Sequence, residues 1–222
     1  MVDCSGVSIT NNKVETRTNS GIRDWNTVNL IIKGNSITAQ QDGYGGYAGM
    51  QIEYSKYFAN PNVEICNNIM TKTQGPGIQL IAYDKGLQIK KGISIKQNLF
   101  LQTGVSTYIP DTGGISIMGL NGVSIINNVF DGCYNDALYV TGGSATIKNN
   151  IITNTALHIR STVGGYGVYN FYISNLIIDS NGFYNNKKGN LYRITAKNSD
   201  FKDPKTHKTT SGWTWKSGKW TL

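Results

Sequence analysis

Glu53 is the acidic residue whose position in the sequence is best suited to chemistry. It lies in the stretch GMQIEYSK (49–56), where polar and apolar residues alternate, so Glu53 and Gln51 are predicted to project from the same outer face of a strand. Hydrolysis of a glycosidic bond needs two carboxyl groups, about 5 Å apart when configuration is retained and about 6.5–9.5 Å apart when it is inverted. Asp84 is the second candidate, but ideal sheet geometry would place it roughly 11 Å from Glu53, so a hydrolase would require loop movement.

Five stretches of alternating residues align with one another and predict which side chains share the outer face. They are GMQIEYSK (49–56), GIQLIAYDK (77–85), GISIMG (114–119), ALYVTG (137–142) and LHIRST (157–162). The alignment predicts one outward column of Gln51, Gln79, Ser116, Tyr139 and His158, and a second of Glu53, Ile81, Met118, Thr141 and Arg160.

This face suits an extended sugar polymer, because aromatic rings pack on sugar rings while amide and guanidinium groups bind hydroxyl and carboxylate groups. The candidate substrate-binding residues are Gln51, Gln79, Tyr83, Tyr139, His158 and Arg160. The competing interpretation is that these residues, like Glu53 and Asp84, are ordinary strand or turn residues.

Elimination is the alternative reaction. A lyase needs a base beside a group that neutralises a uronate carboxylate, often Ca²⁺ or Arg. His158 and Arg160 share one predicted strand face, and Tyr139 lies one turn before them. The sequence contains no acidic cluster typical of a calcium site, so no cofactor or metal is expected, and Ca²⁺ would enter only with a lyase.

A repeated polar step positions all these residues. Seven short apolar strands each run into a polar pair and then into another apolar strand, as in SIINNVF and TIKNNII. The second residues of the steps are Asn12, Asn35, Asn68, Asn98, Asn128, Asn150 and Asn181. Asn tolerates the left-handed backbone of a corner, and its amide can bond to the Asn above and below. The pattern predicts an all-β fold, a right-handed single-stranded parallel β-helix of about seven turns, in which no single turn could bury its apolar face alone.

Composition agrees with this fold and limits the function. The chain has 222 residues, of which 26 are Gly and only 15% are charged, and no helical periodicity is sustained. The net charge of +8 favours polyanionic partners. The sequence has no phosphate loop, zinc motif, nucleophile elbow or nucleic-acid-binding pattern, so no nucleic-acid partner is expected. No apolar run is long enough to insert into a membrane.

Two regions are predicted, a β-helix over residues 1–186 and a basic, Trp-containing segment over 187–222 that packs on the last turn. The N-terminus shows neither a signal peptide nor a cap for the first turn. The expectation is therefore a domain cut from a longer chain, or one with a partner domain stacked on that end.

Two long stretches resemble a known family. GMQIEYSKYFANPNVEICNNIMTKTQGPGIQLIAYD (49–84) and GGISIMGLNGVSIINNVFDGCYNDALYV (113–140) are similar to the disaggregatase-related parallel β-helix domain of methanogenic archaea, and the tail is similar to the end of such surface-protein coils. The resemblance implies an extracellular or cell-surface domain, with adjacent domains, of enzymes that disperse cell aggregates by cleaving an acidic, uronate-containing polysaccharide. It supplies no catalytic motif.

Three functions follow as hypotheses. The first is a glycoside hydrolase, or part of one, acting on an acidic glycan, with a lyase as its variant. The second is a non-catalytic carbohydrate-binding or spacer module of a surface protein. The third is a fibre segment, which predicts a trimer, whereas the first two predict a monomer or weak dimer.

Overall fold

The computed structural model describes residues 1–40, 47–84, 89, 91–105, 113–156, 164–171 and 175–192, together with the backbone of 214–216 and 219–221. Within these residues the chain folds as a right-handed parallel β-helix with three strands per turn and seven turns, which confirms the predicted fold. The strands are short, three to six residues each, because the β-branched runs that form them are interrupted by Asn and Gly at the corners.

Three parallel sheets run the length of the coil, and each receives one strand from every turn. The first sheet contains β1 (Ser8–Thr10), β4 (Leu30–Lys33), β7 (Val63–Cys66), β10 (Ile93–Lys96), β13 (Val123–Ile126), β16 (Ser144–Lys148) and β19 (Asn175–Asp179). The second contains β2 (Lys13–Thr16), β5 (Ser36–Ala39), β8 (Ile69–Thr71), β11 (Leu99–Leu101), β14 (Val129–Asp131), β17 (Ile151–Thr153) and β20 (Gly182–Tyr184). The third contains β3 (Ile22–Trp25), β6 (Met50–Tyr54), β9 (Ile78–Ala82), β12 (Gly113–Met118), β15 (Asp136–Thr141), β18 (Tyr166–Phe171) and β21 (Gly189–Tyr192).

The predicted asparagine ladder joins the first sheet to the second at every turn. Asn12 donates from its backbone N–H and from Nδ2 to Asn35 Oδ1, at 2.9 and 3.1 Å, and the same pair of bonds recurs at each step as far as Asn181. The left-handed backbone belongs to the residue before each ladder Asn, for example Asn127 with φ of 60°. The two residues of a step therefore have different roles. The first adopts the left-handed backbone of the corner, and the second forms the hydrogen bonds between successive turns of the coil.

Side chains inside the coil stack in columns that form one core. Ile32, Ile65, Ile95, Ile125 and Ile147 are fully buried along the first sheet. Phe100 and Phe130 of the second sheet stack with ring centroids 4.5 Å apart. Because each inward residue packs on its equivalent one turn away, the core is continuous.

The end of the coil differs slightly from the predicted boundary. β21 pairs in parallel with β18, so the stack continues to Tyr192 and residue 186 falls inside the last turn. β22 (Thr214–Lys216) and β23 (Lys219–Thr221) form an antiparallel hairpin in which Trp215 lies opposite Trp220. Packing of this segment on the last turn stays a prediction.

Among the described residues, no helix is long and apolar enough to cross a membrane.

Candidate functional site

The outer face of the third sheet carries the two predicted columns. Gln51, Gln79, Ser116 and Tyr139 lie in register on successive strands, which confirms this part of the alignment. The column begins one turn earlier with Arg23 and ends with Tyr169 and Tyr192. The second column consists of Trp25, Glu53, Ile81, Met118, Thr141 and Phe171.

The alignment of LHIRST (157–162) as the strand after β15 is wrong. The strand that pairs with β15 on that side is β18, which puts Tyr169 beside Tyr139 and Phe171 beside Thr141, in the places predicted for His158 and Arg160. β18 was not recognised in the sequence because its inward position, which is apolar in most turns, is occupied by Asn170. The Asn170 side chain is 4% exposed. His158 and Arg160 lie outside the described residues, so their proposed contacts with substrate stay predictions.

Glu53 lies at the centre of a polar cluster at the N-terminal end of this face. Its side chain is only 1% exposed, because three neighbouring side chains bond to its carboxylate. Arg23 Nη2 lies 3.2 Å from Oε2, while Gln51 Nε2 and the Tyr83 hydroxyl donate to Oε1 at 3.0 and 3.2 Å. Ser20 in turn donates to Gln51 Oε1 at 2.9 Å, which fixes the orientation of the amide. A buried carboxylate is stable only with such partners.

Trp25 and Tyr83 form the aromatic wall of this cluster. Their rings stack with centroids 5.9 Å apart and planes 15° apart, and the Trp25 indole N–H donates to Ser55 Oγ at 2.9 Å. Tyr83 is 43% exposed. Partial burial, together with the negative charge and hydrogen bond of Glu53, raises the pKa of the Tyr83 hydroxyl, which keeps it protonated.

The structure does not bring Asp84 and Glu53 into contact. Asp84 follows Tyr83 at the end of β9, where its φ is 34° and its side chain is exposed. The Glu53 carboxylate is held by Arg23, Gln51 and Tyr83 instead. The role of the two acids as a catalytic pair therefore stays a proposal that requires movement at Asp84.

The C-terminal end of the same face is an aromatic ladder. Tyr139 stacks on Tyr169 at 5.6 Å and Tyr169 stacks on Tyr192 at 4.4 Å, with ring planes within 10° of parallel. Phe171 and Tyr166 flank the stack, and all five side chains are half-buried. Because the rings cover one another's faces, the side of the ladder offers ring edges and hydroxyl groups.

Asp136 is the most strongly perturbed acid in the described part of the third sheet. It is 3% exposed, and its Oδ1 accepts hydrogen bonds from the backbone N–H groups of Gly165 and Tyr166 at 2.9 and 2.7 Å. Burial raises its pKa to about 7, although those two bonds and the Lys188 charge act in the opposite direction. Asp136 thus ties β15 to the start of β18.

No group of three His, Cys, Asp or Glu side chains that could hold a metal ion occurs within the described ranges. The expectation that the protein needs no cofactor, with Ca²⁺ reserved for a lyase, stays a prediction.

Reasoning from the sequence missed Arg23 and Trp25. A signal was present, since GIRDW (21–25) begins with the same Gly and apolar residue as GMQIE and GIQLI. A side chain at Gly21 would clash with Ile37 and with the Gly49 carbonyl, and a Gly lies at the same place at the start of β6, β9 and β12. Asp24, which faces the interior and is fully buried, breaks the alternation that would have identified the strand.

Comparison with a solved structure shows the same fold at low sequence identity. A mutant of the periplasmic alginate epimerase AlgG superposes with a TM-score of 0.50 and 14% identity, over 87% of this chain and 48% of the epimerase. The chain thus spans about half the length of that enzyme. An alginate lyase from Paenibacillus sp. str. FPU-7 gives a TM-score of 0.29 and 12% identity, over 89% of this chain and 91% of the lyase.

Among curated protein sequences, none matches the chain significantly. The family model described as disaggregatase related matches residues 60–221, most of the chain and five of the seven turns of the coil. The chain therefore belongs to the disaggregatase-related family.

Proposed function

We propose that the outer face of the third sheet binds an extended acidic polysaccharide, and that the chain acts in processing it as a disaggregatase-type glycoside hydrolase or as part of one. The observation that supports this proposal is the register of one column, which places a guanidinium group with open donors at one end of the face and an aromatic ladder at the other, with the buried Ser116 between them. The net charge of +8 favours an acidic polymer over a neutral one.

Arg23 is the residue best suited to recognise a uronate carboxylate. Its side chain is 51% exposed and uses one N–H group for Glu53, so the remaining donors of the guanidinium face solvent. A carboxylate can therefore bind Arg23 without displacing Glu53. Trp25 and Tyr83 lie beside it and supply ring edges for a sugar.

In a hydrolase, Glu53 would be the essential acid and Asp84 the second carboxyl group. Glu53 lies within hydrogen-bond reach of Tyr83, the residue before Asp84, so a shift at the end of β9 would bring the second acid towards the first. Glu53→Gln is expected to abolish turnover if Glu53 is catalytic. Unchanged turnover in the folded variant would remove Glu53 from the mechanism.

A non-catalytic binding module is the second candidate. It is favoured by the three side chains that already occupy the Glu53 carboxylate. In that case Glu53 positions Arg23 and does no chemistry.

The proposed location is extracellular or at the cell surface, with adjacent domains of a longer chain beside the coil. A matrix polysaccharide is accessible only outside the cell, so the location follows from the proposed substrate.

The deciding experiment incubates the purified chain with alginate and with other uronate polymers. New reducing ends without the ultraviolet absorbance of an unsaturated uronate would indicate a hydrolase, and both signals together would indicate a lyase. Retention on an alginate column without either signal would indicate a binding module. Absence of retention and of products would contradict the proposal.

A further inference from the structure

The two ends of the coil are not equivalent. At the N-terminal end, β1 and β2 pair only with β4 and β5, so within the described residues one edge of each strand has no neighbour. The inward side chains Ile9 and Val14 are half-buried there, whereas their partners one turn later, Ile32 and Ile37, are fully buried. We call the surface formed by β1, Asn12 and β2, with these inward side chains, the open end.

The asparagine ladder ends in an unused acceptor at the open end. From Asn35 to Asn181, each ladder Oδ1 accepts a backbone N–H and an Nδ2–H from the Asn of the preceding turn. No described residue donates to Asn12 Oδ1, which by analogy with the other ladder oxygens would accept from the N-terminal side, and Asn12 is exposed. Asn181, at the other end, is fully buried.

The edge of the third sheet already accepts a parallel segment at this end. Val2 pairs in parallel with Trp25 and Ser5 with Val28, and the Asp3 N–H donates to the Trp25 carbonyl at 2.8 Å. The strands of this turn are therefore able to pair in parallel on their N-terminal side. The exposed Lys13–Glu15 ion pair projects outward from β2 and does not block the edge.

We propose that the open end docks a strand–corner–strand segment of parallel β-helix, running in the same direction as β1 and β2 and carrying Asn at the second corner position. Its Asn would donate a backbone N–H and an Nδ2–H to Asn12 Oδ1, and its apolar residues would cover Ile9 and Val14. Such a segment repeats one turn of the coil about 4.8 Å beyond β1.

A second copy of this chain fits the open end poorly. A two-fold contact between two open ends would pair the strands antiparallel and would set one Asn12 acceptor against the other, with no N–H between them. A head-to-tail contact would need the other end of the ladder, where Asn181 is fully buried and so is not open to a second copy.

The test uses the chain's own sequence as the probe. The peptide VSIINNVFD, a copy of residues 123–131, is added to the whole chain, and hydrogen exchange of the backbone amides is followed by mass spectrometry. We expect slower exchange confined to residues 7–16. The matched control is the same peptide with Asn128→Ala, which lacks the side-chain donor and is expected to bind about tenfold more weakly. In the chain, Asn12→Leu removes the acceptor at an exposed position. This substitution is expected to weaken binding of the unmodified peptide to the same extent.

A fused version removes the entropic cost of binding a free peptide. A copy of residues 121–135 is joined ahead of Met1, with and without the Asn128→Ala change in the copy. We expect amides of β1 and β2 to be protected in the first protein and about tenfold less protected in the second. Equal exchange in both proteins would overturn the proposal. So would concentration-dependent dimerisation of the unmodified chain that Asn12→Leu abolishes, because the occupant would then be a second copy.

Discussion

Arg23 and Glu53 meet diagonally across β3 and β6, with Nη2 and Oε2 3.2 Å apart, and the exposure of the pair is unequal: 51% for the Arg23 side chain and 1% for Glu53. The acid is thus the buried anchor, and the guanidinium is the group that a ligand meets. A diagonal contact of this kind is within reach of two long side chains on neighbouring strands.

Arg23→Gln is expected to weaken binding of alginate about 10–100-fold, because a charge-assisted hydrogen bond to a carboxylate is worth about 1.5–3 kcal/mol. Arg23→Lys should lose less affinity for alginate, since lysine keeps the positive charge but lacks the planar, two-pronged guanidinium group. Arg17→Gln removes an exposed positive charge elsewhere and serves as the control. Isothermal calorimetry of the folded variants gives the comparison. Equal affinity of Arg23→Gln and Arg17→Gln would exclude Arg23 from recognition.

Glu53→Gln is expected to lower the pKa of the Tyr83 hydroxyl, because it removes the negative charge and changes the hydrogen bond that oppose ionisation. The larger cause of the raised pKa is burial, which remains, so the shift should be partial. Ultraviolet titration of tyrosinate measures the change, and Tyr83→Phe identifies the signal. A titration curve unaffected by Glu53→Gln would mean that the 3.2 Å contact is absent in solution.

Asn128→Ala is expected to destabilise the coil by about 2–5 kcal/mol, because it leaves several buried polar groups without partners. Asn128 Nδ2 donates to Ile95 O, Ile126 O and Asn150 Oδ1 at 3.0–3.1 Å. The matched control is Asn12→Ala at the exposed end of the same ladder, where Nδ2 donates to Thr10 O and Asn35 Oδ1, and it should cost about 1 kcal/mol because the side chain is exposed. Urea unfolding of the two variants tests the difference, and similar costs would show that burial of the ladder is unimportant.

Because of Asp136, the free energy of unfolding is expected to fall as the pH rises from about 4 to about 7. Its folded pKa of about 7 lies above the ordinary value of 3.8, so over this range the unfolded chain has already lost a proton that the folded chain still holds. The cost above pH 7 is about 4 kcal/mol. Asp136→Asn keeps an acceptor for the Gly165 and Tyr166 N–H groups and should remove this slope. Urea unfolding at a series of pH values measures it, and an unchanged slope would assign the pH dependence to other groups.

The cysteines should differ in reactivity. Burial raises the pKa of the Cys133 thiol to about 12 and that of Cys66 to about 11, so neither forms much thiolate at neutral pH. Cys4 is half-buried, with its Sγ 3.2 Å from the Val2 carbonyl. Iodoacetamide at pH 8 should therefore label Cys4 first, and peptide mass spectrometry reports the order. Prior labelling of Cys133 would indicate that the coil opens in solution.

The number of turns and the ladder could be predicted from the sequence because each depends on a local pattern. The alternation of apolar residues places Ile52, Leu80, Ile117 and Val140 inside, and the polar pair marks every corner. These signals are carried by a few adjacent residues, so one sequence suffices to find them.

The site could be predicted only in part, because its ends depend on strands that break the pattern. β3 contains the buried Asp24 and β18 contains the buried Asn170. Each of these polar residues breaks the alternation from which a strand is predicted, so the outward residues beside them, Arg23 and Tyr169, were not recognised. Loop lengths also vary from turn to turn, so the place of the next strand of the third sheet in the sequence cannot be found from a fixed spacing.

The asparagine ladder has a consequence for how such a protein can change. Successive ladder residues are separated by 23, 33, 30, 30, 22 and 31 residues, yet their side-chain hydrogen bonds all measure 2.9–3.1 Å. The corner therefore sets the position of a turn independently of how much chain the turn contains, and surplus residues leave the coil as loops. The length of a loop can therefore change without disturbing the coil. Loops can be gained, lost or exchanged at one turn while the other turns keep their alignment.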